Sequence, residues 1–185
     1  TWEWDEATQN WFERQPSIAP PGRSYAAAAY DGSRQRPILF GGYRAPTGTL
    51  GDQWEWHSAK GEWVQTPNPR PTPSQSQSMA YDAARQRIIL ISGASSPATL
   101  WEWDGQFWFD KGTASPVPVF APLAFDGTRI ISTFSAGGPE LQTWGWDGAA
   151  WSRLADCPTP PGGTARLAYD STRGRTVLFM GNSRA

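Results

Sequence analysis

The stretch Trp2-Glu3-Trp4-Asp5 recurs as Trp54-Glu55-Trp56-His57, Trp101-Glu102-Trp103-Asp104 and Trp144-Gly145-Trp146-Asp147. Each copy is followed by one more tryptophan, at Trp11, Trp63, Trp108 and Trp151, and the four triplets use all 12 tryptophans of the chain. Residues two apart project from the same face of a strand, so each Trp-x-Trp pair predicts a strand with both rings on one side. The third ring follows a turn such as Asp104-Gly105 or Asp147-Gly148, which predicts strand, tight turn, strand.

Working outward, a second motif lies between the tryptophan hairpins. A short small or aromatic segment ends in aspartate, at Asp31, Asp82, Asp126 and Asp170, and a hydrophobic run follows. Examples are Ala28-Ala29-Tyr30-Asp31 before Ile38-Leu39-Phe40, and Ala80-Tyr81-Asp82 before Ile88-Ile89-Leu90-Ile91. Ala26 to Ala29 alone has helical propensity, but its counterpart Ala121-Pro122-Leu123-Ala124 carries a proline, so the repeat predicts a strand. The aspartates are spaced by 51, 44 and 44 residues. A period in the mid-forties with four strands per unit is that of β-propeller blades. The alanines suit innermost strands, where blades converge. The tryptophans suit outer strands, where volume must be filled.

The run Ile38-Leu39-Phe40-Gly41-Gly42-Tyr43, followed by Leu50-Gly51-Asp52-Gln53-Trp54-Glu55-Trp56 and then Trp63, resembles the kelch repeat. Gly93 and Gly181 keep one glycine of the Gly41-Gly42 pair, and Gly137-Gly138 come late in their unit. The Asp-x-x-Arg-x-Arg turn at Asp31/Arg34/Arg36, Asp82/Arg85/Arg87 and Asp170/Arg173/Arg175 is similar to that of bacterial kelch-type proteins. The resemblance spans essentially the whole chain. It implies an all-β propeller with four-stranded blades at 23–66, 77–111, 121–154, and 164–181 completed by 2–15. The inner and outer strand pairs each number four, so the expectation is one domain, a closed four-bladed ring. In it the N-terminal outer strands close the C-terminal blade and remove the exposed edges. A piece of a longer array and a ring shared by two chains are the other arrangements open at this point.

Composition bounds the chemistry. The 185 residues carry a net charge of −1, with no basic footprint for nucleic acid. No apolar stretch approaches the roughly 18 residues of a membrane span. The chain opens on a repeat motif without a signal-peptide pattern, as expected of trimmed or processed ends. The resemblance points to an exported protein, periplasmic or extracellular. Cys157 is the one cysteine and His57 the one histidine. That leaves no disulfide framework and no histidine or cysteine metal cluster, and excludes the copper-oxidase chemistry found among kelch proteins. His57 reads as a turn residue, and the repeated aspartates as acceptors within their own turns rather than calcium ligands. No nucleophile, base or carboxylate pair suggests catalysis, so no enzyme and no cofactor is expected.

Residues recurring at a fixed place in a repeat are structural: the 12 tryptophans, Gly41, Gly42, Asp31, Asp82, Asp126 and Asp170. Loop residues that differ between copies are the binding candidates: Tyr43, Arg44, Arg70, Gln75, Gln77, Glu140 and Arg184. Arginine outnumbers lysine 14 to 2, which suits bidentate and stacking contacts. The expected role is a non-catalytic scaffold presenting variable loops to another protein. A carbohydrate-binding module, with a tryptophan at the channel mouth, and a structural subunit of a larger assembly, with an apolar patch outside the channel, are the alternatives. An enzyme would need carboxylates such as Glu140 and Asp156 to converge. Both a monomer and self-association through blade edges fit the strand count.

Overall fold

The computed structural model describes residues 1–67, 71–93, 97–112, 115–138, 140–158 and 165–181. They form sixteen β-strands and no helix. The first hairpin is β1 (Trp2–Asp5) and β2 (Asn10–Glu13). The next sheet holds β3 (Ala27–Asp31), β4 (Arg36–Arg44), β5 (Gly48–His57) and β6 (Glu62–Gln65). Then come β7 (Ser78–Asp82), β8 (Arg87–Ser92), β9 (Thr99–Trp103) and β10 (Trp108–Asp110). The third set is β11 (Leu123–Phe125), β12 (Ile130–Ser135), β13 (Leu141–Trp146) and β14 (Trp151–Arg153). The chain ends with β15 (Ala165–Asp170) and β16 (Arg175–Met180).

Three antiparallel sheets have four strands in sequence order, β3 to β6, β7 to β10 and β11 to β14, while β1–β2 and β15–β16 each make a two-stranded sheet. The ladder from β16 to β1 expected of a ring closed within one chain is not among the pairings of the described residues. Ala27 to Ala29 are in a strand, as the repeat dictates over local propensity.

The tryptophan triplets fold as cross-strand pairs. Trp4 faces Trp11, Trp56 faces Trp63, Trp103 faces Trp108 and Trp146 faces Trp151. Their ring centroids lie 5.4–5.7 Å apart in tilted geometry, each pair adding about 0.5–1.5 kcal/mol beyond its burial. The sheets stack through two apolar clusters. Ile38 and Phe40 of one sheet meet Ile88, Leu90, Trp103 and Trp108 of the next. Ile89, Ile91 and Leu100 then meet Leu123, Ile130, Phe134 and Trp146. Indole N–H groups tie neighbouring sheets: Trp56 Nε1 donates to Glu3 at 2.6 Å, Trp108 Nε1 to Gln53 at 2.5 Å and Trp146 Nε1 to Glu102 at 3.1 Å.

The repeated aspartates hold their own turns. Asp31 and Asp82 are fully buried. Each accepts the backbone N–H of the arginine three residues on and that arginine's Nη1, at 2.8 Å from Arg34 and 2.7 Å from Arg85. The same arginines then reach the following sheet, Arg34 to the Asp104 carbonyl and Arg85 to the Thr128 carbonyl. Arg34 lies over Gly105 and Arg85 over Gly148, where any Cβ would collide with the guanidinium. The glycine of the Asp-Gly turn thus serves the sheet before it. Gly42, at φ +103°, is required for another close approach, because a Cβ there would sit 2.7 Å from the Ser24 carbonyl oxygen.

Candidate functional site

Residues on or just before strands β3, β7, β11 and β15 line a cavity of about 600 Å³. Its walls follow the repeat. Four residues before each aspartate stand Ala27, Ser78, Pro122 and Arg166, and three before stand Ala28, Met79, Leu123 and Leu167; all eight line the cavity. Six before stand Tyr25, Ser76 and Phe120, which form part of its lining.

At this last position the copies share no side chain. Tyr25 is 65% exposed and Phe120 64%. Tyr25 has φ +58° and Ser76 φ +61°, left-handed conformations that are costly for residues other than glycine. That of Tyr25 is held by its surroundings. Ser24 and Tyr43 exchange backbone hydrogen bonds at 3.0 and 2.8 Å, and Arg23 is locked just before them. Ser78 Oγ donates to the Val119 carbonyl at 3.0 Å, anchoring the segment that carries Phe120. Arg166 is exposed on β15, with Nη1 on the Ala165 carbonyl at 2.9 Å. The site therefore offers two aromatic faces, a hydroxyl and a guanidinium on a rigid frame.

Of the residues singled out in the sequence, Gln77 lines this cavity. It is buried, and its Nε2 donates to the Phe40 carbonyl at 2.8 Å. Tyr43 and Arg44 end β4, and Gln75 Nε2 reaches Thr49 Oγ1 at 3.4 Å, on the rung that pairs Thr49 with Tyr43. Tyr43, Arg44 and Gln75 thus share one corner beside the cavity entrance without lining it. Glu140 is exposed. Its charge, after the hydrogen bond and charge of Asp156, helps raise the pKa of Arg153. Asp156 is bound to Arg153 Nη2 at 2.6 Å, and neither carboxylate lines the cavity. Arg70 and Arg184 lie outside the described residues.

Sequence reasoning missed Tyr25, Phe120 and Arg166. The signal was available, since the three fall at repeat positions where the copies disagree, the criterion applied to the loops.

No histidine, cysteine or carboxylate is among the described residues that line the cavity. Among the described residues no group of three such side chains could hold a metal ion, and no helix is long and apolar enough to cross a membrane. No tryptophan is among those described lining residues either. Trp144, Trp146 and Trp151 instead border a recess of about 380 Å³ between two sheets at the periphery, with Lys111 on its edge.

Acid should weaken the frame around the cavity. Burial alone would raise the Asp52 pKa, but the Arg23 hydrogen bond, the Trp54 indole and the Arg23 charge outweigh it and leave the carboxyl below its ordinary value. In Asp126, burial is likewise outweighed by the N–H groups of Arg129 and Thr128. A carboxyl whose folded pKa is depressed contributes stability that is complete above its unfolded pKa, near 3.9, and is lost as pH falls through the folded value. The urea midpoint is therefore expected to be level from pH 7 to about 5 and to fall steadily below 4. A midpoint that rose below pH 4 would reverse the sign.

No protein-family model and no curated protein matches this chain.

Proposed function

We propose that the chain is a kelch-like β-propeller module that binds protein without catalysis, using the mouth of the cavity on its axis. Its sheets act as blades, and the blade begun by β15–β16 is completed by a β1–β2 hairpin. One observation carries the binding reading. On a frame whose aspartates, tryptophans and turns repeat, the rim position six residues before Asp31, Asp82 and Asp126 becomes Tyr25, Ser76 and Phe120, with both rings exposed. Rigid exposed aromatics beside an arginine are the composition of protein-binding hot spots. Among the described lining residues there is no tryptophan, which the glycan alternative places at the channel mouth.

The test is selection of peptides from a random display library on the immobilised chain. Binders are expected to lose at least tenfold affinity with Tyr25→Ala or Phe120→Ala, about 1.4 kcal/mol. They should be indifferent to Lys60→Ala, in the β5–β6 turn. Binders unaffected by either aromatic substitution, or capture of oligosaccharides alone on a glycan array, would refute the reading.

A further inference from the structure

In the three complete sheets the hydrophobic strand meets the Trp-x-Trp strand in one register. Ile38 faces Glu55 and Leu39 faces Trp54; Ile89 faces Glu102 and Leu90 faces Trp101; Ile131 faces Gly145 and Ser132 faces Trp144. Ile38, Ile89 and Ile131 each stand two residues after an arginine, at 36, 87 and 129, and Val177 stands two after Arg175. Strand β16 is thus built for a Trp-x-Trp strand, yet among the described residues its one ladder is to β15. Strand β1 has the matching deficit, since among the described residues its one ladder is to β2.

Side-chain exposure marks the same gap. Val177 is 54% and Phe179 67% exposed, whereas Ile38, Phe40, Ile89 and Ile91, at the equivalent places, are at most 1% exposed. Trp2 and Trp4 are 60% and 47% exposed, against 6% and 3% for Trp54 and Trp56. Arg173, the counterpart of the arginines that reach the next sheet, stays 77% exposed beside Asp170. An unpaired edge flanked by two open apolar faces is a site for strand addition.

We infer that the occupant is a second copy of this chain: the β1–β2 hairpin of one molecule completes the β15–β16 sheet of the other, with Val177 opposite Glu3, Leu178 opposite Trp2 and Thr176 opposite Trp4. This rests on the propeller reading above. The extended register brings Arg175 beside Asp5, as Arg87 lies close enough to Asp104 for its charge to help lower that carboxyl's pKa. Such an ion pair favours this register over a slipped one. Each molecule supplies one hairpin and one open edge, held in separate sheets, so a head-to-tail pair uses both and closes on a two-fold axis. One contact covers both open faces. The incoming Trp2 and Trp4 meet the sheet before β15–β16, and Val177 and Phe179 meet the sheet that follows the incoming hairpin.

The test places Glu3→Cys on one preparation and Val177→Cys on another, both with Cys157→Ser, and oxidises the mixture. A disulfide-linked heterodimer near twice 20.4 kDa is expected, and replacing Val177→Cys by Leu178→Cys, on the opposite face, should abolish it. The unmodified protein should scatter light as a dimer, and Phe179→Glu should shift it to the monomer mass. Thermal melts of each variant establish that it is folded. If only the chain carrying both cysteines cross-links, within itself and at monomer mass, the second copy is overturned and the propeller reading survives as a four-bladed ring. If folded variants form neither cross-link, the pairing of β16 with β1 is overturned in both forms.

Discussion

Replacing Arg23 by alanine is expected to destabilise the chain by about 3–5 kcal/mol, seen as a lower urea midpoint at unchanged slope. The side chain is 5% exposed and Asp52 15%. The pair is bidentate, Nη1 to Oδ1 at 2.5 Å and Nη2 to Oδ2 at 2.8 Å. Nη1 also donates to the Gly41 carbonyl at 2.9 Å and Nε to the Pro21 carbonyl at 3.1 Å, while Trp54 Nε1 donates to Asp52 Oδ2 at 2.6 Å. Truncation at Arg23 would strand a carboxylate against an indole and leave the Gly41 carbonyl without its guanidinium donor. That is the circumstance in which a buried pair has a large apparent effect, whatever its net value against an apolar substitute. Arg23→Lys should restore only part of the loss, because an ammonium cannot make the bidentate contact. Arg23→Ala with Asp52→Ala together should cost less than the two separate losses added. A loss below about 1 kcal/mol for Arg23→Ala would mean the pair behaves as a surface ion pair.

The same region shows where sequence reading stops. Arg23 and Asp52 are 29 residues apart and occur together in one copy only, so no periodicity connects them. Tyr25 stands two residues before β3, and its positive φ goes with tertiary anchoring through Ser24 and Tyr43 that the local sequence does not encode. The strands themselves were legible because four copies of one pattern average out local ambiguity. Ala27 to Ala29 would pass for helix anywhere else, and the proline of the third copy decides against it. The turns were legible for a similar reason, since aspartate followed three residues later by arginine carries its hydrogen bonds within a few residues. Burial was not legible. It belongs to the neighbouring sheet rather than to the motif, so identical Trp-x-Trp stretches differ widely in exposure. For the same reason the partner of a sheet edge cannot be read from the edge strand alone. Three internal precedents supply the register for β16 and β1, and none of them specifies which molecule provides the strand.

That difference has a measurable consequence for the tryptophans. Trp103→Ala is expected to cost about 3–5 kcal/mol, as large aromatic truncations in packed cores do. Trp103 is 1% exposed and sits among Phe40, Ile88, Leu90 and Trp108 at the junction of two sheets. Its loss leaves a cavity that backbone on both sides holds open, because β9 is paired to β8 and to β10. Trp4 occupies the same place in its motif and makes the same kind of cross-strand pair, with Trp11 at 5.5 Å. At 47% exposure it has less apolar surface to lose. In dilute solution Trp4→Ala should cost less than about 1 kcal/mol, chiefly the aromatic pair. The gap between the two substitutions should then depend on concentration. When a second copy buries Trp4, the native protein gains stability by mass action and Trp4→Ala forfeits that gain, whereas the Trp103→Ala deficit stays fixed. Melts of both variants and the parent over a hundredfold range of protein concentration separate the terms. A Trp4→Ala deficit that grows with concentration marks an interface residue. Equal and constant deficits for the two tryptophans would mean that position in the motif, rather than the neighbouring sheet, sets their contribution.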